Sequence, residues 1–472
     1  MGDVRRRAVR PGAAWARVPT PGTECTNCNE HKGPAPIPKA ETPFIPGAHS
    51  GHTRRATTAA VGRTPTLTIV LTKEVVTRRL ESLPMWPGRR ALDAVPALAD
   101  ALAGRRSLLP VPADDPARAD LLAGSQAAGG PIAADVAIVA CTSGSTGTPK
   151  GAMLTAANLC ASIDATHARL GGPGQWLLAT PPAHIAGLQV LLRTIRAGEV
   201  PAAMELDDGF RPGAMADAIA AMTGRRRYTS VVPLQLRRIL DDPTATEALA
   251  SLDGVLVGGQ ATAPELLDRA RAAGIVAVTS YGSSETSGGI AYDGVPLDGA
   301  EVSVEEDSGR IVITGPMVSC GYRNVDSPDL RPAPAPRTPQ RSDDVHGVFR
   351  TSDAGRITCS RDSGSPGDSG PAGTTRLTVL GRIDDVIVSG GLKFLPGPIE
   401  DALTALDGIA DAAVVGVPHP ELGNAVVAAV TLAGEIRSEP PATDHAISEH
   451  LRARLAPALD KHQVPRAVFV VK

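Results

Sequence analysis

The sequence has few aromatic residues, few cysteines, no long apolar run and no excess of either charge. Phe, Tyr and Trp make up only 3% of its 472 residues, while Ala, Gly, Pro and Arg are plentiful. That bias reads as GC-rich codon usage and carries no function. The net charge is −3, so the electrostatic footprint of a nucleic-acid binder is missing. No apolar stretch is long enough to span a membrane, which excludes stable membrane insertion. The basic N-terminus lacks an apolar core, so it does not read as a secretory signal, and Pro11, Pro19 and Pro21 interrupt any amphipathic transit helix. The six cysteines, Cys25, Cys28, Cys141, Cys160, Cys320 and Cys359, are scattered. This fits a reduced cytoplasmic protein better than a disulfide framework.

What is present suits a globular chain of more than one domain, with 42% hydrophobic and 21% charged residues. Residues 1–65 are rich in Pro, Gly, Thr and Arg and lack periodicity, which predicts a disordered tail. Cys25, Cys28, His49 and His52 in that tail have zinc-ligand chemistry. No helix or hairpin pattern presents them together, so they read as chance neighbours. A strand is expected at Leu67–Leu71 and a helix near Ala91–Ala103.

From Asp135 the pattern alternates. Strands are expected over 135–140, Trp176–Ala179, Tyr228–Val232, Gly254–Val257 and Ile275–Thr279. Helices are expected over Ala156–Leu170, Ile185–Arg196, Leu234–Leu240 and Ala263–Ala273. This rhythm predicts an α/β fold: a large domain over 66–380 with mainly parallel sheets flanked by helices, whose ligands sit at strand carboxyl ends. Residues 381–472 switch to a small α+β unit, with the boundary at Gly381–Asp384. Asp326–Asp344 and Ser360–Thr374 are Pro-, Ser- and Gly-rich and read as inserted loops.

The first predicted strand runs into Thr142-Ser143-Gly144-Ser145-Thr146-Gly147-Thr148-Pro149-Lys150-Gly151. Glycines let backbone N–H groups converge on an anion, hydroxyls add donors, and Lys150 supplies a charge. Pro149 and Gly151 rule out the common P-loop, in which a helix opens at the lysine. The string resembles the phosphate-binding loop of the adenylate-forming superfamily, which includes acyl- and aryl-CoA ligases. Ser280 to Gly289 resembles that superfamily's second core motif. Resemblance implies that Tyr281 stacks on adenine, Gly282 borders ATP, Ser283 borders the acid, Glu285 holds Mg²⁺ and Thr286 meets the α-phosphate. Gly258 and Gly259 match the loop beside the acyl group and adenine. Asp353, in Thr351 to Gly355, matches the ribose clamp. Arg382 and Asp384, in Gly381 to Asp385, match a second ribose contact and the hinge between the domains. Gly390 and Gly391 match the loop lining the CoA tunnel. ATP, Mg²⁺ and coenzyme A follow as implied ligands.

Pro181 to Leu188 matches the family's gate motif and places His184 beside the acyl group. Arg193, on the helix begun by Ile185, and the string Ser287 to Gly299 resemble the o-succinylbenzoate–CoA ligase branch, which serves menaquinone biosynthesis. An aromatic dicarboxylate needs one carboxylate held while the other reacts, and a buried arginine is a fitting fork. The family carries a lysine in a Gly-Lys pair near its C-terminus, and this chain stops at Lys472 before such a pair. Two alternatives to o-succinylbenzoate activation therefore stand: a different acyl- or aryl-CoA ligase, and a nucleotide-binding protein weak in adenylation. A homo-oligomer is compatible with the sequence.

Overall fold

The computed structural model describes residues 76–142, 148–206, 209–332, 347–359, 375–432, 444–460 and 463–471. The predicted tail, its Cys and His pairs, the strand at Leu67–Leu71, Ser143, Gly144, Ser145, Thr146, Gly147, the Ser360–Thr374 loop and Lys472 lie outside the described residues.

Four sheets follow one another along the chain. The first joins β1 (Thr77–Met85), β2 (Ser107–Pro112), β3 (Pro131–Ala133), β4 (Val136–Cys141) and β5 (Gly151–Thr155) in the order β3-β1-β2-β4-β5. Its centre is parallel and its edges antiparallel. Helix α1 (Val95–Leu102) precedes β2, and α2 (Pro116–Ser125) follows it, capped by the Asp115 carboxylate on the Arg118 N–H. Helix α3 (Ala156–Arg169) starts at a capping box in which Thr155 and Asn158 satisfy each other's free backbone N–H.

The second sheet has the order β12-β11-β10-β9-β8-β6-β7. Strands β6 (Gln175–Leu178), β7 (Ala202–Ala203), β8 (Arg227–Val231), β9 (Gly254–Gly258) and β10 (Ala277–Ser283) are parallel. Strands β11 (Gly288–Tyr292) and β12 (Val295–Pro296) turn back antiparallel. Helices α3 and α4 (Ile185–Ala197) pack between the two sheets, where Leu159, Ile163, Leu188 and Leu191 meet Ile138, Leu154 and Trp176. Each such fully buried aliphatic side chain contributes about 1.5–3 kcal/mol. The other face of the second sheet is covered by α5 (Pro212–Ala220), α6 (Pro233–Leu240), α7 (Pro243–Ala250) and α8 (Pro264–Ala272).

An antiparallel sheet follows, built from β13 (Glu301–Val304), β14 (Arg310–Gly315), β15 (Leu330–Pro332), β16 (Gly347–Cys359) and β17 (Thr375–Arg382). The last sheet carries β18 (Ile387–Ser389), β19 (Leu392–Phe394), β20 (Ile409–His419), β21 (Gly423–Leu432) and β22 (Ala467–Val470), with α9 (Pro396–Thr404) and α10 (Asp444–Leu455). The large α/β domain and small α+β domain predicted from sequence are both present. No helix among the described residues is long and apolar enough to cross a membrane.

Between the phosphate-loop motif and α3 the chain forms β5, which pairs back on β4. Two local expectations change. Strand β10 continues past Thr279 to Ser283, since β11 pairs with it there. Part of the expected Asp326–Asp344 loop is the strand Leu330–Pro332, fixed by the buried Leu330 and by pairing with β16.

Candidate active site

β4 and β5 pair antiparallel, and the pairing extends to the Thr142 N–H donating to Lys150 O at 2.9 Å. Beyond it, Gly151 accepts no side chain: a Cβ there would lie 2.1 Å from Gln126 Oε1. Lys150 forms no ion pair among the described residues; its Nζ sits 5.5 Å from the centre of the Tyr322 ring. Thr148 is exposed at the loop's end.

Strand β10 delivers the second group. A bulge falls between Tyr281 and Gly282, and Gly282 passes so close to β11 that a Cβ would lie 2.0 Å from Gly288 O. The chain then makes a single 3-10 turn over Ser284–Thr286. Glu285 is only 6% exposed there, and Tyr322 Oη donates to its Oε1 at 2.7 Å. Burial and the neighbouring carboxylate push the Tyr322 phenol well above its ordinary pKa, so it remains a donor. Tyr322 is the one side chain that hydrogen-bonds the Glu285 carboxylate among the described residues, and it engages Oε1. The Thr286 hydroxyl is spent within the turn: it accepts from the Ser283 N–H at 2.9 Å and donates to Gly288 O at 2.7 Å. These bonds shape the turn.

A second tyrosine–carboxylate pair lies nearby in sequence register. Tyr281 Oη donates to Asp353 Oδ2 at 2.7 Å. Burial and Asp353 together raise that phenol's pKa. Asp353 on β16 is the register partner of Arg382 on β17, so the expected ribose residues Asp353 and Arg382 and the expected adenine residue Tyr281 are brought together. Arg382 Nη2 also stands 3.4 Å from Asp384 Oδ2, on the exposed turn that follows β17. Gly258 ends β9 beside Ser280, where a Cβ would fall 2.8 Å from Ser280 O, and Gly259 takes a φ of 84°. Gly390 and Gly391, with φ of 57° and 81°, form the tight turn between β18 and β19. That turn bonds Leu422 within the small domain and makes none of the contacts above.

Helix α4 borders the remaining side. His184 is its N-terminal flanking residue; burial lowers the imidazole pKa and the Arg118 charge lowers it further, so the ring is neutral at pH 7. Arg193 is 3% exposed and has no carboxylate partner among the described residues. Its Nη2 donates to Tyr292 Oη at 3.3 Å, its Cζ lies 4.7 Å over the Trp176 ring, and its Nε has no partner at all. Burial lowers its pKa without a counter-charge to offset the cost. Gln189, one turn earlier, donates to Ser287 O at 2.5 Å, while its Oε1 is also orphaned. A Cβ on Gly288 would stand 3.3 Å from Gln189 Cγ and 4.0 Å from Arg193 Nη2, so the arginine flanks the backbone just past Glu285. Buried Ser283 Oγ, on the register partner of Gly288, is likewise unpaired. Arg193 Nε, Gln189 Oε1 and Ser283 Oγ are thus buried polar atoms without a hydrogen-bond partner among the described residues.

Sequence reading missed Tyr322, Asn324 and Gln126. Their only signal is position: Tyr322 and Asn324 lie far from either core motif, and contact appears only when residues 319–324 cross β5.

The comparisons agree with this architecture. The AMP-binding enzyme model matches residues 69–335, and the AMP-binding enzyme C-terminal domain model matches residues 398–472. A protein named probable 2-succinylbenzoate–CoA ligase from Mycobacterium tuberculosis is 46% identical over 356 residues, covering 75% of this chain and 85% of its own. Feruloyl-CoA synthase from Amycolatopsis sp is 30% identical over 364 residues, covering 71% of this chain and 65% of its own. Wild-type E. coli MenE, solved with a phenylether-linked analogue of OSB-AMS, shares the fold with a TM-score of 0.59 at 23% identity, covering 84% of this chain and 86% of that one. With the large-domain and small-domain models matched in order along one chain, the protein belongs to the AMP-binding enzyme family.

Proposed function

We propose that this AMP-forming acid–CoA ligase acts on o-succinylbenzoate and supplies its CoA thioester to menaquinone biosynthesis. The observation that carries the choice of acid is Arg193, a buried guanidinium without a counter-ion in the described chain, set beside the Glu285 turn. A fixed cation of this kind suits an acid with a second carboxylate. The 46% identical mycobacterial relative bears the matching name.

In the first half-reaction a carboxylate oxygen bonds to the α-phosphorus of ATP, the bond to pyrophosphate breaks, and an acyl-adenylate forms. In the second, the CoA sulfur, its proton released to solvent, bonds to the acyl carbon and AMP leaves. Lys150 and the Thr142–Thr148 backbone receive the phosphates, since an ammonium and the amides of a Gly-rich loop suit an anion. Glu285 fits Mg²⁺, because a buried carboxylate with one oxygen engaged by Tyr322 leaves the other for a hard cation that also uses phosphates and water. When bound, Mg²⁺ neutralises charge on the phosphate oxygens. Asp353 and Arg382 take the ribose, Tyr281 flanks the adenine, and His184, Gly258 and Ser283 border the acyl group. The small domain, from Gly381, turns about Asp384 to bring Gly390 and Gly391 toward CoA.

The test is thioester formation with o-succinylbenzoate, benzoate, ferulate and a straight-chain fatty acid. We expect kcat/KM for o-succinylbenzoate to exceed the others by about a hundredfold or more, as for a site whose buried polar group goes unpaired with the wrong substrate. Equal turnover of a monocarboxylate would overturn the assignment.

A further inference from the structure

One stretch of backbone touches both charged groups at the centre of the site. Residues 321–323 run beside β5: the Met153 N–H donates to Gly321 O at 3.0 Å, the Arg323 N–H donates to Gly151 O at 2.8 Å, and Ala152 pairs antiparallel with Tyr322. Tyr322 Oη donates to Glu285 Oε1 at 2.7 Å while its ring underlies Lys150. Two residues on, the Asn324 amide grips the backbone on either side of Lys150. Its Nδ2 donates to Pro149 O at 2.8 Å, and its Oδ1 accepts from the Gly151 N–H at 3.3 Å. Gln126 Nε2 donates to the same Pro149 carbonyl at 3.0 Å.

Glu285 sits in the turn that follows β10 of the second sheet and Lys150 just ahead of β5 of the first, so neither sheet by itself sets their separation. We propose that Tyr322 and Asn324 are positioning residues, a strap that holds the cation-binding carboxylate and the phosphate-binding ammonium in one register so that both meet the same triphosphate. Tyr322 acts through Glu285: by occupying Oε1 it aims Oε2. Asn324 acts through the peptides flanking Lys150. Arg323, between them, anchors the strap from behind, with Nε donating to Gln126 O at 2.5 Å. The inference rests on the AMP-forming reading of this site.

Tyr322→Phe removes the hydroxyl and keeps the ring. We expect the Mg²⁺ concentration for half-maximal turnover to rise about tenfold, the size of effect that follows loss of a hydrogen bond to a charged group. KM for the acid should be unchanged. Mn²⁺ binding to the enzyme with α,β-methylene-ATP, read by electron paramagnetic resonance, should weaken by a similar factor. In a Glu285→Gln background the same change should have no further effect, because its target is gone. Asn324→Ala should slow adenylate formation about tenfold with Mn²⁺ affinity unaltered. Melting temperatures of each variant separate these effects from unfolding. Wild-type Mn²⁺ affinity in Tyr322→Phe, or additive losses in the double variant, would overturn the strap. The binding measurement contains no acid, so a wrong acid in the functional reading shows in turnover alone, and a wrong strap shows in Mn²⁺ affinity.

Discussion

Arg193 and Arg350 stand in two regions that treat the same side chain in opposite ways. Arg350, on the antiparallel sheet, is part exposed and makes a two-pronged pair with Glu305, Nε to Oε1 at 2.7 Å and Nη2 to Oε2 at 3.0 Å. Arg193, between the first two sheets, is buried with a phenol, an indole face and an unpaired Nε. The first charge is answered within the chain. The second is paid for by the fold without an answer, and such a cost persists where a ligand supplies the counter-charge. The contrast sets an ion pair satisfied within the chain against a buried cation that is not.

The largest effect should come from Arg193→Met, which keeps much of the volume and removes the charge. Acid kcat/KM should fall about a hundredfold or more, with KM for ATP within about twofold of wild type. The melting temperature should hold or rise, because a buried uncompensated charge is replaced by an apolar side chain. A variant that loses stability but keeps its acid would show that Arg193 is a structural residue and would erase the contrast.

How far this wall could be read from sequence depends on what kind of contact makes it. Strands β4, β6 and β9 are buried and mostly apolar, so sequence pattern found them within a residue or two; β8, RYTSV, was found on its β-branched and aromatic residues. Strand β1, TRRLESLPM, escaped because only Leu80 and Met85 are buried in it and charged residues occupy both faces. Strand β5 escaped because five residues after a turn-rich motif carry too little pattern. Arg193 was legible through its resemblance to one branch of the family, though its lack of a partner was not. Tyr322 was invisible, because its meeting with Glu285 is made by sheet packing and not by chain proximity.

A middle-sized effect tests the field around Arg193. Burial holds the His167 imidazole down at about 4, and the Arg193 charge pushes it the same way while Asp164 opposes. Trp176 Nε1 donates to His167 Nε2 at 3.4 Å, an arrangement that needs the neutral ring. The unfolded chain, with an ordinary histidine near 6.5, takes its proton first as pH falls. The stabilisation is therefore full above about pH 6.5 and is lost toward pH 4, on the order of 3 kcal/mol in all. Melting temperature measured across that range should drop in wild type and stay flatter in His167→Gln. It should also stay flatter in Arg193→Met, where one of the depressing charges is gone. Parallel curves for all three would mean that His167 does not feel the unpaired arginine.

The smallest effect is expected on the other side of the comparison. Arg350→Ala frees Glu305, which the guanidinium holds at about 2, into solvent that can hydrate it. An exposed pair of this kind contributes little, so the melting temperature should move by about 2 °C or less. Acid turnover should not change. The nucleotide side gives a sharper reading, because Asp353 lies three residues along β16 from Arg350 and is held by the Tyr281 hydroxyl from a different sheet. If β16 keeps its register without the Arg350–Glu305 pair, KM for ATP stays put. A rise in that KM would mean the surface pair also aligns the ribose clamp, and an arginine whose charge is answered locally would then share in the site after all.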